Sequence, residues 1–180
     1  TYELLDEQIK SNKIIPDLSV FEKEIIYTLR KLTLQEIAEL PDVSEGLENK
    51  IKAAANNFNN IKDLIDNIKS KRYTQSRIQR ILLYALLNIS EKDINMSRKT
   101  NPYIRVLGFN KHGKKIVSAI AKANPKLNII VSVKKFMEAS NNTSLKNMLS
   151  KDIFATNVYT LGYKSEPVAN LDYTHKVVEI

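Results

Sequence analysis

The apolar residues in the first two-thirds of the chain recur at helical spacing. Phe21, Ile25, Ile26 and Leu29 form one amphipathic stripe. Leu32-Thr33-Leu34 leads into a short helix that ends before Pro41. Asp42-Val43-Ser44 reads as a turn and N-cap. Glu45 and Glu48 then occupy a first turn, and Leu47, Ile51, Ala54, Ala55 and Phe58 make a buried face. Ile61, Leu64, Ile65 and Ile68 predict another short helix. Thr74 is the N-cap expected for the next, whose apolar face is Ile78, Ile81, Leu82, Ala85 and Leu86.

The pattern changes after residue 100. Tyr103-Ile-Arg-Val-Leu-Gly108 and Asn128-Ile-Ile-Val-Ser132 read as strands. Residues 111–123 between them read as a basic amphipathic helix with Ile116, Val117, Ile120 and Ala121 inward. Strand, helix and strand over some 30 residues predict a small parallel pair. Phe136 to Lys151 reads as helical or loose, with a polar break at 140–144, and Asp152 to Tyr163 as a further helix. The expected fold is therefore α+β and predominantly helical. A helical subdomain (1–100) precedes a small α/β subdomain (101–163), and 164–180 form an irregular tail.

Charge changes this picture. Residues 67–137 hold 16 Lys and Arg against Glu91 and Asp93 alone, a net +14. Residues 1–66 carry −5 and residues 138–180 carry −1. So dense a cationic block self-repels unless something compensates it, and a polyanion does so by exchanging condensed counterions for Lys and Arg. The densest stretch, 69–80, supplies Lys69, Lys71, Arg72, Arg77 and Arg80 as phosphate ligands, with Tyr73 and Thr74 for stacking or hydrogen bonding. Arg105, Lys111, Lys114 and Lys115 extend the track, the lysines at the opening of a helix, where a solvated lysine-rich surface is the equal alternative. The competing reading of 69–80 is an internal ion-pair network with Asp42, Glu45 and Glu48.

Little else points to chemistry. Without cysteine there is neither disulfide nor zinc–thiolate site, and a reducing cytoplasm is the expected location. No apolar run reaches the roughly 18–20 residues of a membrane span. His112 and His175 are the only histidines and stand in no metal-ligand spacing. No residue is singled out as catalytic or as a metal ligand, and no cofactor is expected on this chain itself. Asp172-Tyr-Thr-His175 is a compact polar cluster near the end. The chain opens on Thr1 with its first methionine at 96, which reads as a fragment or processed product.

Three stretches resemble a known family: Ser44-Glu-Gly-Leu-Glu-Asn-Lys-Ile51, Ile68-Lys-Ser-Lys-Arg-Tyr-Thr-Gln-Ser-Arg-Ile-Gln-Arg80 and Asn101-Pro-Tyr-Ile-Arg-Val-Leu-Gly108. Together they are similar to the C-terminal half of the bacterial tRNA(Met) cytidine acetate ligases, which are nucleotidyltransferase-like. Asp152-Ile-Phe-Ala-Thr-Asn157 and Asp172-Tyr-Thr-His175 share the likeness. The resemblance implies an ATP-dependent ligase, with Mg, that forms acetyl-adenylate and acetylates the wobble cytidine of elongator tRNA(Met). It further implies that this chain is the tRNA-binding C-terminal region, working with an N-terminal nucleotidyltransferase domain that carries a His-x-Gly-His motif and is absent here. Two rivals remain: a chain whose arginines contact ATP or adenylate, and a structural module packed on an acidic partner domain.

Overall fold

The computed structural model describes Glu7, residues 17–164 and residues 166–180. The opening of the expected helical subdomain, Glu7 apart, lies outside these residues through position 16. The chain divides into two compact units, residues 1–94 with 158–167 and residues 95–157 with 168–180.

The first unit is a helical layer packed around one core. A 3₁₀ turn, Leu18–Phe21, leads into α1 (Glu22–Lys31); α2 (Leu34–Ala38), α3 (Leu47–Asn57), α4 (Ile61–Ile68) and α5 (Gln75–Leu86) follow. Helix α1 packs on α3 and α5, and α4 lies against both α3 and α5. The apolar stripes read from the sequence point into this core: Ile25, Leu29, Leu47, Ile51, Leu64, Ile68, Ile78, Ile81 and Leu82 are fully buried, and Val158 joins them. Each such side chain contributes about 2 kcal/mol by leaving water. Phe58 and Leu86 pack at the margin, half-buried.

Helix ends in this unit are held by long-range donors. Lys52 in α3 donates its ammonium hydrogens to the carbonyls of Leu29 (3.1 Å), Arg30 (2.7 Å) and Leu32, closing the C-terminus of α1. Arg30 in α1 reciprocates, donating to Ala55 O at 2.7 Å and Phe58 O at 3.3 Å at the end of α3. Thr33 and Glu36 form a capping box around the first turn of α2. Helix α3 starts later than expected. Gly46 at φ 82°, not Ser44, is its N-cap, so Glu45 stands outside the helix at φ 58°.

The second unit contains two short parallel pairs. β1 (Tyr103–Arg105) pairs with β3 (Asn128–Ile130), Arg105 opposite Ile130. β2 (Gly108–Phe109) pairs with β4 (Val178–Glu179). Helix α6 (Glu91–Lys99) precedes β1, α7 (Lys111–Ala123) bridges β2 and β3, and α8 (Val133–Ala139), α9 (Thr143–Leu161) and α10 (Leu171–Thr174) follow. Ile130, Val133, Leu149 and Ile153 make its core.

Three expectations change here. Residues 164–180 are not an irregular tail, since they contain α10 and β4. Strand β4 fits because residue 108 is glycine: a Cβ there would stand 3.2 Å from the Val178 carbonyl oxygen. The two helices expected after 140 are one helix of 19 residues, because only 140–142 break the chain and Asn142 caps Leu145 N at 3.0 Å. The face of α7 expected inward is uncovered, with Ile116 58% and Ile120 42% exposed.

Gly46→Ala tests the turn before α3. Nothing lies within 4 Å of the added methyl, so the cost is that of a left-handed alanine alone, about 1 kcal/mol. The expected result is a lower melting temperature without loss of helical circular dichroism.

Candidate nucleic-acid interface

The 69–80 cluster folds around its own loop. Thr74 caps α5, accepting from Arg77 N at 3.4 Å. From the first turn of α5 the Arg77 side chain reaches back to the turn at 42–46, donating from Nε (3.0 Å) and Nη2 (2.6 Å) to Asp42 O and from Nη2 to Ser44 Oγ (3.0 Å). One turn on, Arg80 grips the Asp42 carboxylate at 2.8–2.9 Å. Arg72 pairs with Glu45. Asp42, Glu45 and Gly46 all have positive φ, and this strained turn is what the arginines hold. The internal ion-pair network is thus present for Arg72 and Arg80, though both remain more than half exposed.

Tyr73 does not offer a face to a base. It is buried, its hydroxyl points to Ser44 O at 3.4 Å, and Lys50, Arg72 and Arg77 lie within 6 Å of its ring centre. Its role in this structure is to support the same turn. Lys69 and Lys71 project into solvent, and no ion pair among the described residues engages them.

In the second unit, Lys111, Lys114 and Lys115 are exposed on the opening turns of α7. Lys114 meets Glu179 at 3.3 Å and lies over Phe109, while Lys111 and Lys115 form no ion pair among the described residues.

Arg105, expected on the phosphate track, is instead turned inward with its side chain 22% exposed. Strand alternation explains this: Tyr103 and Arg105 share one face of β1, and Ile104 takes the other. Arg105 donates to Asp172 Oδ1 and lies 3.7 Å from Asp152 Oδ2. Tyr103 donates its hydroxyl to that same Asp152 oxygen at 2.7 Å. Burial opposes the charge on Arg105, but Asp172 and then Asp152 outweigh it, so its pKa rises. Burial first, then the Asp152 hydrogen bond, pushes the Tyr103 phenol far above its ordinary value. Asp152 and Asp172 were not among the expected site residues. A signal that could have found them is the lone arginine inside an apolar strand, which needs an anion when it turns inward.

Comparison with known proteins then settles the family. A family model described as HIGH Nucleotidyl Transferase matches residues 1–173. The chain belongs to this nucleotidyltransferase family. It is 43% identical over 181 aligned residues to the tRNA(Met) cytidine acetate ligase of Thermoanaerobacter pseudethanolicus and 40% identical to that of Halothermothrix orenii over 167. The first alignment covers all of this chain and 43% of the relative, the second 91% and 39%. The chain therefore spans less than half the length of these curated relatives. The fold matches crystal structures of Thermotoga maritima TmcAL. The apo form aligns at TM-score 0.90, over 99% of this chain and 44% of the other, at 23% identity. A form bound with alpha-thio ATP aligns at 0.89, over 99% and 46%, at 24% identity.

One expectation is corrected by the family match. The resemblance implied a C-terminal region from which the nucleotidyltransferase domain is absent, whereas the nucleotidyltransferase family model itself runs through residues 1–173 of this chain. Its 180 residues nonetheless contain no His-x-Gly-His string. Among the described residues no cluster of three or more His, Asp or Glu side chains is placed to hold a metal ion. No helix among them is long and apolar enough to cross a membrane.

The Tyr103 environment gives a pH prediction for this family member. A raised pKa means that the neutral phenol contributes stability fully present below pH 10, its ordinary value. That contribution is lost only as pH rises further, towards the folded-state value. Absorbance titration should show one tyrosine ionising after the others, and Tyr103→Phe should remove that last transition. Superimposable wild-type and variant curves above pH 10 would contradict the burial.

Proposed function

We propose that this chain docks tRNA for an ATP-dependent ligase that acetylates the wobble cytidine of elongator tRNA(Met). The observation that carries the reading is the uncompensated charge. Lys69 and Lys71 in one unit, and Lys111 and Lys115 in the other, are exposed inside the +14 segment of the sequence and have no carboxylate partner among the described residues. Phosphates fit such side chains because an ammonium on a flexible stem makes strong, register-tolerant contacts. Sequence relatives named tRNA(Met) cytidine acetate ligase support tRNA as the polyanion. Arg72, Arg77 and Arg80 have the supporting role of fixing the 42–46 turn.

Formation of acetyl-adenylate from acetate and ATP, with Mg balancing the phosphates, is assigned to the whole ligase. No residue of this chain is given a catalytic role. The work of the chain is positional: phosphate contacts set the register of the tRNA, so that its cytidine reaches the activated acetyl group.

The test is paired substitution. Lys69→Ala with Lys71→Ala, and separately Lys111→Ala with Lys115→Ala, should each weaken tRNA binding several-fold in fluorescence anisotropy. Each pair should also flatten the salt dependence by about one phosphate per lysine. Affinity equal to wild type in both pairs would remove the lysines from the interface.

A further inference from the structure

The second unit holds an opening that the docking lysines do not use. It is a cavity of about 290 Å³ bounded by the 105–107 segment, residues 130–133 and the 171–178 segment. This is the low end of the range for ligand pockets, suited to a flat heterocycle rather than a whole cofactor. Val106, Ile130, Val133 and Leu171 give it apolar walls.

Its polar lining is Arg105, Asp172, His175 and Lys176, of which Asp172 is the one carboxylate. That side chain is 9% exposed. One carboxylate oxygen, Oδ1, accepts from Arg105. The other, Oδ2, is buried with no hydrogen-bond partner among the described residues. A buried carboxylate oxygen left without a donor is costly, and native proteins seldom leave one so. Arg105 holds the group in place, so Oδ2 is a fixed acceptor for a donor that enters the cavity and displaces the atoms now covering it. The missing component is a donor. A cationic amine would meet Arg105 and Lys176, both on the wall of the same cavity. A neutral N–H group on a planar ring meets no such repulsion.

We propose that this cavity takes an unstacked base of the bound tRNA, and that Asp172 Oδ2 accepts a hydrogen bond from its exocyclic amine. Cytosine carries that amine and uracil carries a carbonyl oxygen in its place, so the site discriminates between them. The apolar walls cover the faces of the extruded base, as sites that read single-stranded RNA do. Asp172 is then a specificity-determining residue, and the Arg105–Asp172 pair is its support. This inference rests on the tRNA-docking reading.

The experiment compares short labelled oligo(C) and oligo(U) RNAs on the full 180-residue chain at fixed low salt. Oligo(C) should bind about tenfold tighter, the discrimination expected of one good base contact. Asp172→Asn keeps the acceptor for Arg105 and places an amide N–H₂ where Oδ2 was. It should abolish or reverse the preference. Val131→Phe narrows the cavity at a half-exposed wall residue outside the core and should likewise remove the preference, which covers the case in which Asp172→Asn does not fold. Equal binding of both RNAs by the wild-type chain, or a preference that survives in the variants, overturns the base pocket while leaving docking intact. No binding of either RNA overturns both.

Discussion

A segment with sixteen cations and two carboxylates has to spend or expose its charge, and that constraint shapes both units. In the helical unit, Arg77 and Arg80 fold back on a turn whose residues Asp42 and Glu45 sit at positive φ. The guanidinium groups satisfy the carbonyl and carboxylate of that turn, and the buried Tyr73 ring lies beneath Arg77. In the α/β unit, Arg105 is drawn inside and neutralised by Asp172 and Asp152. Those contacts tie β1 to α9 and α10. The lysines, whose charge is more strongly hydrated, remain in water.

Division of labour between arginine and lysine follows from their chemistry. A planar fork with several donors holds a defined geometry and is suited to fixing a turn or orienting a buried carboxylate. A lysine on a mobile stem makes a poor strut and a good phosphate contact. The basic cluster is consequently part scaffold and part surface. Substituting its arginines perturbs folding as well as any interface, whereas substituting its lysines addresses the interface directly.

Much of the helical unit was legible in the sequence, because its signal is periodic and local. The stripes of α1, α3, α4 and α5 are the residues that the core buries, and Thr74 is the cap it was read to be. The misreadings arose where the deciding partner is distant or the element is short. Arg105 stands alone in an apolar strand, but that does not name its partner, which lies 67 residues on. β4 is two residues long and exists through its pairing with Gly108 and Phe109. Tyr73 stands among cations in sequence, a setting that predicts stacking or hydrogen bonding to a nucleic acid, but its ring and hydroxyl are engaged by Lys50 and Ser44 from another part of the chain. Ile116 and Ile120 have helical spacing that foretold an amphipathic face, and spacing does not say whether that face is covered.

The most direct measurement is the affinity of the 180-residue chain for elongator tRNA(Met) across a salt series. Docking through exposed lysines predicts tight binding at low salt and a steep linear fall of log affinity with log salt, about 0.7–0.9 per phosphate neutralised. Affinity that is absent at low salt, or insensitive to salt, would contradict a phosphate-contacting role for this chain.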